Sequence, residues 1–273
     1  MGIRHRLRLA RRRLRQLPET MLAPHLPPAW LGYRWVARET VTDYFQRHAR
    51  VGRDPGGSYR TLHPGTVAVN PLPRNIAGRH QLPAEQGWWG YSFHDVPART
   101  SHETFIATLP DCQVVSGLDE RENFHVSVLN RDLRALVLRE MHFRPVHARA
   151  LRAGRPLTRL PRATWITERV YDNHSHWLTA HLPKLCLLRT LGMLDDLVLP
   201  ARRSATMDAS LAMLGLDPGD FRQFRVGEPL AVEALTLLGT DRFRPELLRP
   251  LRTALAGDDA EPRRRVYISR DRA

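Results

Sequence analysis

A chain of 273 residues with 42% apolar content can build one large domain or two ordinary ones, and it excludes wholesale disorder. The formal net charge of +14 points by itself to a polyanionic partner. Against this, 41 of the 42 basic residues are arginine and Lys184 is the only lysine, a ratio that reads as GC-rich coding; specific nucleic-acid binding is not expected.

Residues 1–15, MGIRHRLRLARRRLR, hold seven arginines and no acid. Ile3, Leu7 and Leu14 form a thin apolar stripe, which fits a basic arm on an anionic membrane surface or a solvated start. Residues 18–110 carry 11 of the 21 prolines. Turn signals there, such as Asp54-Pro55-Gly56-Gly57 and His63-Pro64-Gly65, separate short strands, Thr66–Val69 among them. Residues 30–46 have helical spacing through Trp35, Val36, Val41 and Tyr44. Trp88, Trp89, Tyr91 and Phe93 form an aromatic cluster, read either as a core anchor or as a stacking surface for a sugar or base. Strands are expected over 105–108, 112–115, 124–129 and 133–138, with turns at Pro110-Asp111 and Asn130-Arg131-Asp132. His142 and His147 read as surface or linker residues. The basic stretch 150–162, with its glycine and prolines, reads as a boundary. The expected organisation is a basic arm over 1–20, a proline-rich, β-containing region over 21–160, and an α/β lobe over 161–273.

Beyond Thr164 the pattern changes. It predicts strand 165–171, helix 173–191, strand 197–199, helix 205–214, strand 221–226, an apolar run 230–238, helix 246–256 and strand 266–269. Alternating strands and helices imply βαβ units around a parallel sheet, so the expected fold class is α/β. Two cysteines, Cys112 and Cys186, stand in no CxxC or metal-ligand spacing, which suits a reduced, cytoplasmic setting. No apolar run approaches the roughly 18–20 residues of a membrane span. The start lacks a signal peptide's apolar core.

The densest chemistry lies where the strand over 165–171 breaks into its helix: Asp172, Asn173, His174, Ser175, His176 and Trp177 in succession. Asp172 stands at the expected N-cap, and a catalytic carboxylate is the other reading of it. His174, His176 and His181 invite a metal. On a helix, however, His174 and His176 point about 200° apart, and His174 and His181 lie about 10 Å apart along the axis. No metal is expected, and His174 and His181 fall to the core side. Asn173, His176 and Trp177 face the helix mouth, at the carboxyl end of the strand, where open α/β sheets bind ligands. A satisfied structural histidine is the other reading of His176. Ser269 and Arg270 emerge at the carboxyl end of the strand over 266–269, on the same edge, and an arginine there suits a diphosphate.

The Asn173-x-x-His176-Trp177 pattern, its following Leu182-Pro183-Lys184-Leu185 and the terminal Arg265-Val266-Tyr267-Ile268-Ser269-Arg270 together resemble the family 61 glycosyltransferases, whose bacterial members are often described as capsular polysaccharide biosynthesis proteins. The resemblance spans about residues 100–273. It implies a GT-B-like, Rossmann-type lobe and transfer of a sugar from a nucleotide donor to a saccharide hydroxyl, inverting and metal-independent, with no further cofactor. It places Asn173 and His176 in the catalytic cleft, His176 as base or as binding residue, and Ser269, Arg270 and Trp177 beside the nucleotide sugar. The family continues through a second lobe, whereas this sequence ends three residues after Arg270; the expectation is a lobe with its partner largely missing and activity in question. The implied setting is cytoplasmic, at the inner face of the membrane if the basic arm engages it. Two alternatives stand beside the transferase: a non-catalytic basic protein for anionic lipid or nucleic acid, and a metal-dependent hydrolase.

Overall fold

A computed structural model of the chain describes residues 21, 25–69, 77–81, 98–154 and 156–256. The basic arm over 1–15, the aromatic cluster Trp88–Phe93 and the terminal motif with Ser269 and Arg270 lie outside the described residues.

The strands are β1 (Arg38–Thr40), β2 (Ser58–His63), β3 (Thr66–Val69), β4 (Ala98–Ser101), β5 (Thr104–Leu118), β6 (Phe124–Leu129), β7 (Ala135–Val137), β8 (Thr158–Trp165), β9 (Leu197–Pro200), β10 (Arg222–Phe224) and β11 (Leu230–Gly239). The helices are α1 (Val41–Arg50), α2 (Pro145–Arg152), α3 (His174–His176), α4 (Leu182–Thr190), α5 (Ala205–Met213) and α6 (Pro245–Ala256). The fold is α/β. One mixed sheet runs β1-β7-β6-β5-β11-β8-β9-β10, with β2 added to β5. The half β11-β8-β9-β10 is wholly parallel, as βαβ connections require. The half β2-β5-β6-β7 is antiparallel, and β11 joins the halves by pairing antiparallel with β5.

That junction explains where local pattern and structure part. The boundary drawn between 160 and 161 falls inside β8, and strands from both sides of it share the sheet. Strand β8 lies upstream of the expected 165–171, because Thr158–Trp165 is the stretch that pairs in register with β11. Residues Ile166, Thr167 and Glu168 are buried as a connection rather than as strand. Pro110-Asp111 is not a turn between strands. The register with β11 is unbroken across it (Val232 to Cys112, Ala234 to Pro110), and Asp111 absorbs the irregularity at φ 49°. The helix expected over 30–46 begins only at Val41. Thr40 and Asp43 form a capping box that fixes that start, with Asp43 N donating to Thr40 Oγ1 at 3.0 Å. His147 is no linker residue: it is fully buried on the inner side of α2.

The core follows the sheet. All six residues of β6 are buried. On α4, Leu182, Leu185 and Leu188 are fully buried, each contributing about 1.5–3 kcal/mol by leaving water. They anchor the helix in the core it shares with the parallel strands.

Candidate functional site

The register aligns the carboxyl ends of the parallel strands: Leu237 beside Trp165, Trp165 beside Val198, and Pro200 beside Phe224. From the end of β8 the chain runs through a buried connection to Asn173, and there the helix starts. Asn173, not Asp172, is the N-cap; Asp172 is exposed. The Asn173 side-chain oxygen accepts the His176 amide at 3.2 Å and stands 3.1 Å from His176 Nδ1. A backbone amide can only donate, so the atom it meets must be the oxygen. It follows that Nδ1 carries the proton and Nε2 keeps its lone pair. Partial burial, then Arg242 and Arg169, pull the His176 pKa below its ordinary 6.5, against the opposing influence of Glu140 and Glu168. The ring is neutral at pH 7, half-buried, and presents a basic nitrogen.

Trp177 does not join them at the mouth. A π turn over Trp177–His181 rotates the helix between α3 and α4 and carries Trp177 into the core. Its indole Nε1 donates to Ser210 Oγ at 2.7 Å, and its ring stacks on His181 at 5.8 Å between centroids. The same turn exposes His174, which the regular-helix reading sent to the core side, and keeps His181 buried. His181 ties the break together. Its Nε2 accepts the Glu168 amide at 3.0 Å, so Nδ1 donates to the His176 carbonyl at 3.1 Å. Burial holds this ring neutral, with its pKa down to about 4. Beside it Glu168 and Lys184 form a buried ion pair. Burial opposes the Glu168 charge most strongly, but Lys184 and the nearby cations outweigh it, and its pKa falls below the usual value.

The second element of the edge lies just past β11, in Thr240-Asp241-Arg242-Phe243-Arg244. Asp241 accepts the His102 amide at 2.8 Å and Arg139 Nη1 at 2.7 Å. Arg242 Nη2 donates to Glu140 at 3.3 Å. Buried Arg244 donates to the carbonyls of His102 and Pro64 and pairs with Glu246, closing the strand end against the N-terminal half. Sequence reasoning passed over this stretch. Its signal was there: two arginines and an acid in five residues, directly after a ten-residue apolar strand ending in Gly239.

Two grooves open along this edge. One of about 590 Å³ is lined by His102, Glu103, Arg139, His142, Thr240 and Asp241 among others. The other, also about 590 Å³, lies over the ends of β9 and β10 and is lined by Tyr171, Asp172, Arg202, Arg203, Ser204 and Arg225 among others. His176 lines neither groove; its charged neighbours Arg242 and Glu140 are adjacent in sequence to Asp241 and Arg139 of the first, and Tyr171 of the second stands two residues before Asn173. The edge thus offers a neutral imidazole base, several guanidinium groups and concave space for a substrate. Ser269 and Arg270 cannot be placed on it, since they lie outside the described residues.

Among the described residues no group of three His, Cys, Asp or Glu side chains is arranged to hold a metal, and no helix is long and apolar enough to cross a membrane. No protein-family model, curated protein or solved structure matches the chain.

Proposed function

We propose that the chain is a lobe of a glycosyltransferase of the GT-B type that moves a sugar from a nucleotide donor to a saccharide hydroxyl, with inversion and without a metal. The observation that carries the reading is the His176 imidazole, with its Nδ1 proton held by Asn173 and its Nε2 lone pair free to act. In the reaction, Nε2 takes the proton of the acceptor hydroxyl as that oxygen bonds to the anomeric carbon. The bond from that carbon to the diphosphate breaks, and the diphosphate leaves with the electron pair. Arg242 and Arg169, which already bias His176 toward neutrality, supply positive charge for the departing group. The resemblance adds Ser269 and Arg270 to that task. Asn173 is a positioning residue: it sets the tautomer and the ring plane and touches no substrate. Polysaccharide assembly at the inner face of a membrane is the setting that belongs to this reading.

The test is release of nucleoside phosphate from a panel of nucleotide sugars in the presence of oligosaccharide acceptors. His176→Ala should lower the rate by about 10²–10⁴-fold, the usual worth of a general base. The base works when neutral and its pKa is depressed, so the rate should rise with pH through a midpoint below that of a free imidazole and then level off. Asn173→Asp keeps the cap but sets a carboxylate against Nδ1, which raises the His176 pKa and should move that acid limb to higher pH. A wild-type protein that releases nucleotide from no donor, or a His176→Ala variant as fast as wild type, overturns the proposal.

A further inference from the structure

The wall built from α2, β1 and the turn before β1 carries a groove of about 540 Å³. Five arginines line it, Arg34, Arg38, Arg144, Arg149 and Arg152, and no carboxylate does. All five are exposed. Among the described residues, Arg34, Arg144 and Arg149 have no acidic partner, and Arg152 turns its Nε to the Ala148 carbonyl at 3.3 Å. Some arginines elsewhere on the surface are matched, as Arg47 with Glu39, Arg162 with Asp196 and Arg203 with Asp208. The groove also holds half-buried Tyr33 and Trp35. Tyr33 sits there at φ 57°, a conformation unfavourable for a ring-bearing residue, and its amide donates to the Pro28 carbonyl at 2.7 Å.

Length and connection decide what fits. From Arg144 to Arg152 the helix rises about 12 Å, too far for one phosphate or carboxylate and suited to an anion repeated along a chain. The rings supply flat apolar surface between the charges, as the face of a pyranose requires. Neighbouring positions of the chain line this groove and the one beside Asp241. Strand β1 gives Arg38 to one and Thr40 to the other, and the segment after β7 gives Arg139 and His142 to one and Phe143 and Arg144 to the other. We infer that this arginine groove holds an acidic glycan chain, carrying carboxylates on repeated sugars, as the acceptor whose end reaches His176. The transfer part rests on the glycosyltransferase reading; the binding part does not.

Calorimetry on the full chain with an oligogalacturonate of about six sugars, long enough to span the arginines, tests it. The expected result is binding that weakens as salt rises, with no binding of a neutral oligosaccharide of the same length. Arg149→Ala combined with Arg152→Ala should weaken it by about tenfold or more, as loss of charge-assisted hydrogen bonds does. The thermal midpoint, measured alongside, should stay put, which separates lost contacts from lost fold. Equal binding of the neutral chain, wild-type affinity in the double variant, or equal binding of a single-stranded RNA or of anionic vesicles overturns the inference. If nucleotide release is found and oligogalacturonate binding is not, this inference fails while the transferase reading stands. The reverse pair of results sinks the transferase reading alone.

Discussion

Around the carboxyl ends of β8 and β11, cations meet acids: Lys184 with Glu168, Arg139 with Asp241, Arg242 with Glu140, Arg244 with Glu246. Along α2 and the start of β1, Arg34, Arg144 and Arg149 meet none among the described residues. Both regions hold several cations, and they use charge differently. In the first, each cation has an acid, and for Lys184 and Glu168 both charges are buried, so removing either leaves the other stranded in a poor solvent. In the second, guanidinium groups stay in water and keep their hydrogen bonds for something outside the chain. Total charge therefore says little here; what matters is whether each cation already has an acid.

The largest effect that would test this contrast lies in the buried pair. Lys184→Met leaves Glu168 charged and buried without a partner, and should cost about 3–5 kcal/mol in denaturant unfolding. Combining it with Glu168→Leu should recover most of that loss. A single variant as stable as wild type would mean the pair holds nothing. Next in size is acidification. His181 and His147 are both buried, and burial lowers both pKa values to about 4. In the unfolded chain each takes a proton near 6.5; in the fold each resists it until about 4. The unfolded state therefore binds more protons across that window. Stability is complete above about pH 6.5 and falls as pH drops toward 4, by roughly 3 kcal/mol for each ring. His181→Gln should flatten part of that slope, and unfolding curves from pH 7 to 4.5 read it. The smallest effect belongs to the exposed arginines. Arg149→Ala and Arg152→Ala should each change stability by no more than about 0.5 kcal/mol, since neither holds an acid in place.

Helix starts beyond residue 190 were legible in sequence because they depend on near neighbours. Ser204 accepts the Met207 amide at 3.3 Å as an N-cap should, and the helix and strand positions expected between residues 190 and 256 fall within a residue or two of their pattern. The break at Asn173–His176 was also legible, as a polar cluster at a strand–helix junction. Pairing across long separations was not. Nothing local in Thr158–Trp165 announces that β11, some seventy residues on, will take it as a parallel neighbour in place of residues 165–171. Trp177 was misplaced for another reason. A regular helix puts it at the mouth, and a π turn of five residues, not visible in periodicity, turns it inward. His147 was read by its polar type, while its neighbours Val146 and Ala148 already marked an inward-facing stretch.

Lys184 carries the only ε-amino group in a chain otherwise supplied with arginine, and that group is buried. An acylating reagent can reach it only when the helix after the break lifts from the sheet. The chain therefore carries its own reporter. The rate at which one lysine is acylated, followed by mass, counts the openings of this region one residue at a time, without a label being engineered in. A ligand that settles on the sheet edge and holds the break closed should slow that rate, so the same amine can register occupancy before any product is known.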